Sequence, residues 1–168
     1  MKFKAIKATI HFANDMGYIH AQSWQKAYQG IVPNDIVDAF TPEKRAEVFR
    51  EAIATRPEEY YFFKVDDRPA GIALLHKNHE ENAADTDGEI YAIYFHPDYW
   101  GTSATHKAFQ FCVDRLKERG FTKITIWVLK DNIRARKFYE KYGFALDGAQ
   151  QQIDLGIPLT EVRYSKKI

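Results

Sequence analysis

The chain has 168 residues, of which 45% are hydrophobic and 15% aromatic, so it can bury a core and is too apolar to remain disordered. Its 24 basic and 23 acidic side chains give a formal net charge of +1, which argues against general nucleic-acid binding because that function needs a concentrated basic surface. Cys112 is the only cysteine, which excludes an internal disulfide and a thiolate zinc cluster.

The N-terminal part of the chain predicts a strand followed by a helix. Alternating side chains from Phe3 to Thr9 indicate the strand. Asn14 or Asp15 can begin a helix that runs to about Tyr28 and is ended by Gly30.

Two further helical segments follow. A helical turn is led by Pro33, and Thr41 and Pro42 then supply the N-cap and first turn of a helix that reaches about Ala54. Pro57 is expected to end this helical region. The buried side of the longer helix is expected to consist of Ala46, Val48, Phe49, Ala52 and Ile53.

The middle of the chain predicts an antiparallel hairpin and a third strand. The hairpin strands are Tyr60 to Val65 and Ala70 to His76, joined by a turn at Asp66 to Pro69. The polar, acidic stretch Lys77 to Gly88 is expected to be a loop, and Glu89 to Phe95 the next strand.

The C-terminal half alternates helices and strands. A helix is expected from about Ser103 to Arg119, then a strand through Ile124 to Val128, and then a helix that Asn132 can cap. Two closing strands are expected at 150–154 and 161–165. The apolar stripe of the second helix consists of Ala135, Phe138, Tyr139 and Tyr142.

The sequence contains no internal repeat, linker, signal-peptide pattern or membrane-spanning run. We therefore expect one domain over residues 1–168, located in the cytoplasm, with no membrane or nucleic-acid partner.

The stretch FTKITIWVLKDNIRARKFYEKYGF, residues 121–144, joins a strand, an Asn at the crossover and a Tyr seven residues later. Together with the element order, it resembles the GCN5-related N-acetyltransferase (GNAT) family. The resemblance implies a mixed α/β (α+β) fold with a mostly antiparallel sheet, two splayed parallel central strands and flanking helices. It also implies an N-acetyltransferase that moves the acetyl group of acetyl-CoA directly to a primary amine of a small molecule or protein, with no metal.

The resemblance assigns the cofactor's pantetheine arm to the splayed strand at Ile93, Tyr94 and Phe95, whose free backbone groups can bind its amides. The helix start that follows would bind the pyrophosphate through backbone N–H groups. That loop consists of Trp100, Gly101, Thr102, Ser103, Ala104 and Thr105.

The loop departs from the family pattern. Trp100 stands where the family has Gln or Arg, and Ser103 and Thr105 replace both glycines. Ser and Thr hydroxyls can donate to phosphate, so weaker binding is one expectation. A capped helix without a ligand is the other, and the loop therefore also admits a non-catalytic acyl-CoA binding or sensing module.

The family's catalytic positions fall on two residues. Tyr139 would protonate the departing thiolate, and Glu89, eleven residues before Trp100, would help to deprotonate the amine. The alternative interpretations are a core ring for Tyr139 and a solvated carboxylate for Glu89. The pantetheine arm would also contact Asn132, which can equally be only a helix cap, together with Ala135 and Phe138.

The amine acceptor leaves the weakest signal. Trp24 and Tyr28 would line its pocket or merely pack on the sheet, and the acidic loop Glu80 to Asp87 would attract a cation. A homodimer is a further expectation, since terminal strands in this family often pair between subunits. Basic candidates for the nucleotide phosphates are Lys107, Lys130, Arg134 and Arg136.

Overall fold

A computed structural model describes residues 1–56 and 59–168. The predicted helix end at Pro57 lies outside the described residues. The helices are α1 (Ala13–Tyr28), α2 (Asn34–Ala39), α3 (Pro42–Thr55), α4 (Ser103–Glu118) and α5 (Ile133–Lys141). The strands are β1 (Phe3–Lys7), β2 (Tyr60–Val65), β3 (Arg68–Lys77), β4 (Asp87–Phe95), β5 (Lys123–Leu129), β6 (Ala145–Asp154) and β7 (Pro158–Lys167).

All seven strands form one sheet in the order β1-β2-β3-β4-β5-β7-β6. The pairings are antiparallel except for β4 with β5, which are parallel. Helices α4 and α5 pack on one face, where Phe109 and Tyr139 join the core with Ile126. Helices α1 and α3 cover the other face, where Met16 and Phe49 pack with strand residues. The mixed α/β fold with flanking helices is therefore confirmed.

The two parallel strands separate after a short stretch of pairing. β4 and β5 pair only from Asp87 to Glu89, opposite Lys123 to Thr125. Beyond Glu89, β4 stays paired with β3, and β5 stays paired with β7 along its whole length. The predicted splay is thus confirmed, and it leaves one backbone edge of each central strand facing a gap.

A β-bulge in β4 determines which side chains of this strand point toward α1 and which point toward the opposite face of the sheet. Leu74 of β3 lies opposite Ala92, whereas the next residue, Leu75, lies opposite Ile90. Tyr91 is therefore the extra residue, and it shifts the alternation of side chains by one position. As a result Tyr94 faces α1, where its ring centroid lies 4.2 Å from that of His20, and shares that face with Glu89.

Several expected boundaries and faces differ in the structure. α1 begins at Ala13, so Asn14 and Asp15 lie inside the helix, and the capping residue Phe12 forms no side-chain cap. Val48 is 44% exposed and does not belong to the buried side of α3. The face of that helix that packs on the sheet includes fewer residues than the set of apolar residues in its sequence. The two closing strands are longer than expected. Among the described residues, no helix combines the length and apolarity needed to cross a membrane.

The crossing of α1 and α3 depends on Gly17. A Cβ atom there would meet the backbone nitrogen of Ala46 and lie 2.5 Å from the carbonyl oxygen of Pro42. We expect Gly17→Ala to lower the free energy of unfolding by about 2 kcal/mol, because the helices must move apart. Lys26→Ala, at an exposed position of the same helix, should change it by less than about 0.5 kcal/mol. Urea denaturation measures both, and equal values would show that the contact is unimportant.

Candidate active site

A cavity of about 330 Å³ occupies the gap between the splayed strands. Its walls come from both central strands, from α1 and α5, from the start of the loop before α4 and from the β6–β7 hairpin. The predicted site residues that line it are Tyr28, Glu89, Ile93, Tyr94, Phe95, Trp100, Gly101, Thr105, Asn132, Ala135, Phe138 and Tyr139.

Glu89 lies at the vertex of the gap, on the last paired rung of β4 and β5. Its side chain is only 9% exposed, and within the described residues it accepts no hydrogen bond. Burial raises the pKa of Glu89 to about 7, with a further increase from the Glu80 carboxylate and an opposing effect of Arg163. A carboxyl group with this pKa exchanges its proton near neutral pH, which is what a general base requires.

His76 is a close titratable neighbour of Glu89, since its Nδ1 lies 3.7 Å from Oε2 of Glu89. The same Nδ1 is 2.6 Å from the carbonyl oxygen of Lys77, to which it donates when protonated. Burial lowers the pKa of His76, so its ring is neutral at neutral pH. Glu89 therefore has no permanent cationic partner on this side.

Tyr139 enters the cavity from the opposite face of the sheet. α5 holds its ring in the core, with its centroid 5.8 Å from that of Phe109. Burial raises the pKa of Tyr139 well above its ordinary value, an effect that Tyr94 strengthens and Arg134 opposes. Its hydroxyl is protonated at every physiological pH and can act as a proton donor, but not as a base.

The loop before α4 does not offer its threonine hydroxyls to a ligand. Oγ1 of Thr102 donates to the carbonyl of Tyr99 at 2.7 Å and accepts from the backbone N–H of Ala104 at 3.3 Å. Oγ1 of Thr105 donates to the carbonyl of Thr102 at 2.8 Å. Both hydroxyls are thus hydrogen-bonded to backbone groups at the helix start. Thr102, Ser103 and Ala104 do not line the cavity.

The side chain of Arg134 stacks on the indole ring of Trp100, a contact that no sequence pattern predicted. Cζ of Arg134 lies 3.5 Å from the centroid of the indole ring, and Trp100 Nε1 donates to the carbonyl of Phe95 at 2.9 Å. Both side chains line the cavity. The tryptophan that replaces the family's loop residue is therefore a fixed platform on which the guanidinium of α5 stacks.

Asn132 caps α5 and also lines the cavity. Its Oδ1 accepts from the backbone N–H of Ala135 at 3.2 Å, which caps α5, and the residue also lines the cavity.

The two aromatic acceptor candidates on α1 differ in their position relative to the cavity. Tyr28 lines the cavity, whereas Trp24 stacks on Phe40 with ring centroids 4.2 Å apart and does not.

The acidic loop contributes less directly than expected. Glu80 accepts from Trp127 Nε1 and pairs with Arg163, and Asp85 pairs with Lys77 at the surface. In addition to Glu89, the cavity is lined by the carboxylate of Glu161 on β7, by Gln151 of β6 and by the bulged Tyr91. No pattern in the sequence predicted these residues, because their position depends on how the last hairpin packs against β5.

Comparison with known proteins agrees with this architecture. The chain is 24% identical over 138 residues to YuaI of Bacillus subtilis, described as an uncharacterized N-acetyltransferase, covering 81% of this chain and 76% of YuaI. The PaiA N-acetyltransferase of Thermoplasma acidophilum, solved with coenzyme A, superimposes with a TM-score of 0.76 at 18% identity over 100% of both chains. yncA of Salmonella typhimurium, solved with its cofactor acetyl-CoA, gives 0.71 at 13% identity over 99% of this chain and 94% of that one.

Residues 23–144 match the sequence profile of the acetyltransferase (GNAT) family, a region that holds the splayed strands, the loop, the Asn and both proton-transfer candidates. The chain belongs to the GNAT family of acetyltransferases.

Proposed function

We propose that this protein is an N-acetyltransferase that transfers the acetyl group of acetyl-CoA directly to a primary amine in a ternary complex. The main support is that one cavity, formed where β4 and β5 separate, presents a near-neutral carboxyl group on one face and a phenol on the other. The coenzyme A and acetyl-CoA in the PaiA and yncA structures support the choice of cofactor.

Each residue has a defined part in the proposed reaction. Glu89 accepts a proton from the ammonium form of the acceptor, so that a nitrogen lone pair can attack the thioester carbonyl. Backbone N–H groups of β4 near Tyr94 stabilise the oxygen on which negative charge develops. A C–N bond forms, the C–S bond breaks, and the Tyr139 hydroxyl gives its proton to the departing sulfur. The nitrogen then loses its second proton to the Tyr139 oxygen, which leaves a neutral amide and restores the phenol.

Arg134 is the residue that we assign to the cofactor's phosphates. The loop lacks a basic side chain, and its threonine hydroxyls are bonded internally. The guanidinium on Trp100 restores a positive charge beside the helix start, and its planar donors suit phosphate oxygens. Partial burial lowers the pKa of Arg134, but a guanidinium remains charged.

The second candidate function is a module that binds acyl-CoA without catalysis. The altered loop from Trp100 to Thr105 favours it, because a weakened site can retain binding after turnover is lost. Calorimetry with acetyl-CoA, combined with a thiol-release assay over a panel of amines, separates the two. Binding without release of thiol on any amine would support the module, and release would support the enzyme.

Tyr139→Phe tests the proton donor. We expect kcat to fall by about 100-fold, because the thiolate must leave unprotonated, while the Kd for acetyl-CoA changes by less than about twofold since the ring packing is retained. Stopped-assay kinetics and calorimetry provide the two values. Parallel losses in both would mean that the hydroxyl acts in binding or structure. Tyr142→Phe, at the residue that follows the same helix and outside the cavity, is the matched control and should retain the wild-type kcat.

Glu89 should determine the pH profile. Because its pKa is about 7 and the base must be ionised, kcat/KM should rise with pH with a midpoint near 7, and Glu89→Gln should remove this inflection. Glu80→Gln should move the midpoint to lower pH, since a repelling carboxylate is removed. A wild-type profile with no inflection between pH 5 and 9 would contradict the assignment.

Thermal unfolding shows whether Glu89→Gln loses activity because the base is removed or because the variant misfolds. The folded-state pKa of Glu89 lies above its ordinary value of 4.5, so ionisation destabilises the fold as the pH rises from about 4.5 through 7. Glu89→Gln should therefore have the higher Tm at pH 8 and a similar Tm at pH 4. A lower Tm at pH 8 would show that the carboxylate is instead stabilised by a partner.

Arg134→Ala should weaken acetyl-CoA binding by roughly tenfold, the loss expected for one charge-assisted contact, and should leave binding of acetyl-pantetheine, which lacks the phosphates, unchanged. Trp100→Phe should keep most of the affinity, whereas Trp100→Ala should resemble the Arg134 variant. Lys137→Ala, an exposed cation on the same helix, is the control. Equal losses for both ligands would argue against a phosphate contact.

A further inference from the structure

The cavity continues to the α1 face of the sheet through an opening that we call the acceptor mouth. It lies on the side opposite to Tyr139, and its outer wall belongs to the closing hairpin. Its residues are Tyr28, Glu89, Tyr91, Trp127, Gln151 and Glu161.

Two carboxylates of the acceptor mouth lack a permanently charged basic partner in the part of the chain that the structure describes. Within the described residues, neither Glu89 nor Glu161 forms an ion pair with a lysine or arginine. Gln151 Nε2 donates to Oε2 of Glu161 at 2.7 Å, which holds the carboxylate in place and leaves its charge uncompensated. The side chain of Glu89 is at the same time more than nine-tenths buried and faces the cavity.

Arg163 lies beside the mouth, with its Cζ 5.6 Å from the centroid of the Trp127 ring, and it is already neutralised. Its Nε lies 2.7 Å from Oδ2 of Asp147, and its Nη1 pairs with Glu80. Two carboxylates thus neutralise this guanidinium, and Glu161 and, when ionised, Glu89 add further negative charge to the mouth. The local field at the mouth is therefore negative and favours cations over neutral or anionic acceptors.

The two free carboxylates stand at opposite ends of the mouth. Glu89 pairs with Thr125 at the vertex, whereas Glu161 pairs with Leu129 at the open end of β5. These positions are four residues apart on β5, roughly 13 Å along the strand. Trp127 lies between them on the same face of β5.

We propose, on the basis of the function above, that the acceptor is an amine with a second cationic group several methylenes away, held by Glu161 while the reacting nitrogen lies near Glu89. The aromatic side chains of Tyr28, Tyr91 and Trp127 flank the space between the carboxylates and suit an alkyl spacer. A two-charge acceptor matches the charges of the mouth better than an amino acid, whose own carboxylate would be repelled.

Three acceptors with the same number of carbon atoms test this proposal: diaminooctane, octylamine and aminooctanoate, whose far ends are positive, neutral and negative. We expect wild-type kcat/KM to decrease in that order, with about a fivefold preference for diaminooctane over octylamine, as for a partly exposed ion pair. Glu161→Gln, which keeps the Gln151 hydrogen bond, should abolish this preference, so that diaminooctane and octylamine have equal kcat/KM.

Asp154→Asn is the matched control, because it removes an exposed carboxylate from the same hairpin outside the cavity. It should retain the wild-type preference. Turnover of all three amines without a preference, or a preference that survives in Glu161→Gln, would overturn the inference and leave the proposed function intact. No thiol release with any amine, despite acetyl-CoA binding, would instead overturn the proposed function and the inference with it.

Discussion

The loss of pairing between β4 and β5 after Glu89 is the feature on which the site depends. Two central strands that separate leave backbone donors and acceptors facing a gap, a costly arrangement unless a ligand or water satisfies them. The sheet tolerates it because each strand keeps a full partner on its other side, β3 for β4 and β7 for β5. The gap thus connects the two faces of the sheet at its centre.

Burial gives the two proton-transfer candidates complementary properties. Desolvation raises the pKa of both Glu89 and Tyr139 because it disfavours any negative charge. For a carboxylic acid this brings the pKa to about 7, where the group can accept a proton from an amine. For a phenol it excludes ionisation, so the hydroxyl remains a donor. One cavity therefore supplies an acid and a base without a metal ion in the proposed reaction.

The departures from the family's loop pattern are linked through packing. Trp100 takes the place of a polar loop residue, yet its indole positions Arg134 from another helix. The charge is thus moved from the loop to α5 and is retained in the cavity. Thr102 and Thr105 satisfy the helix start through their own hydroxyls, so binding of an anion there would rest on backbone N–H groups and on this guanidinium.

The sequence determined the elements, because hydrophobic periodicity, helix caps and turn residues act over a few neighbours. It therefore predicted the strand, Asn132 cap and helix that carry Tyr139, and it placed Glu89 at the start of a central strand. Only the tertiary structure decided that Tyr91 is bulged and that Tyr28, not Trp24, reaches the cavity. It also decided that Glu161 lines the same cavity as Glu89 and that Arg134 stacks on Trp100. These are contacts between residues far apart in the chain, and they are fixed by strand register and helix packing, which no local pattern encodes.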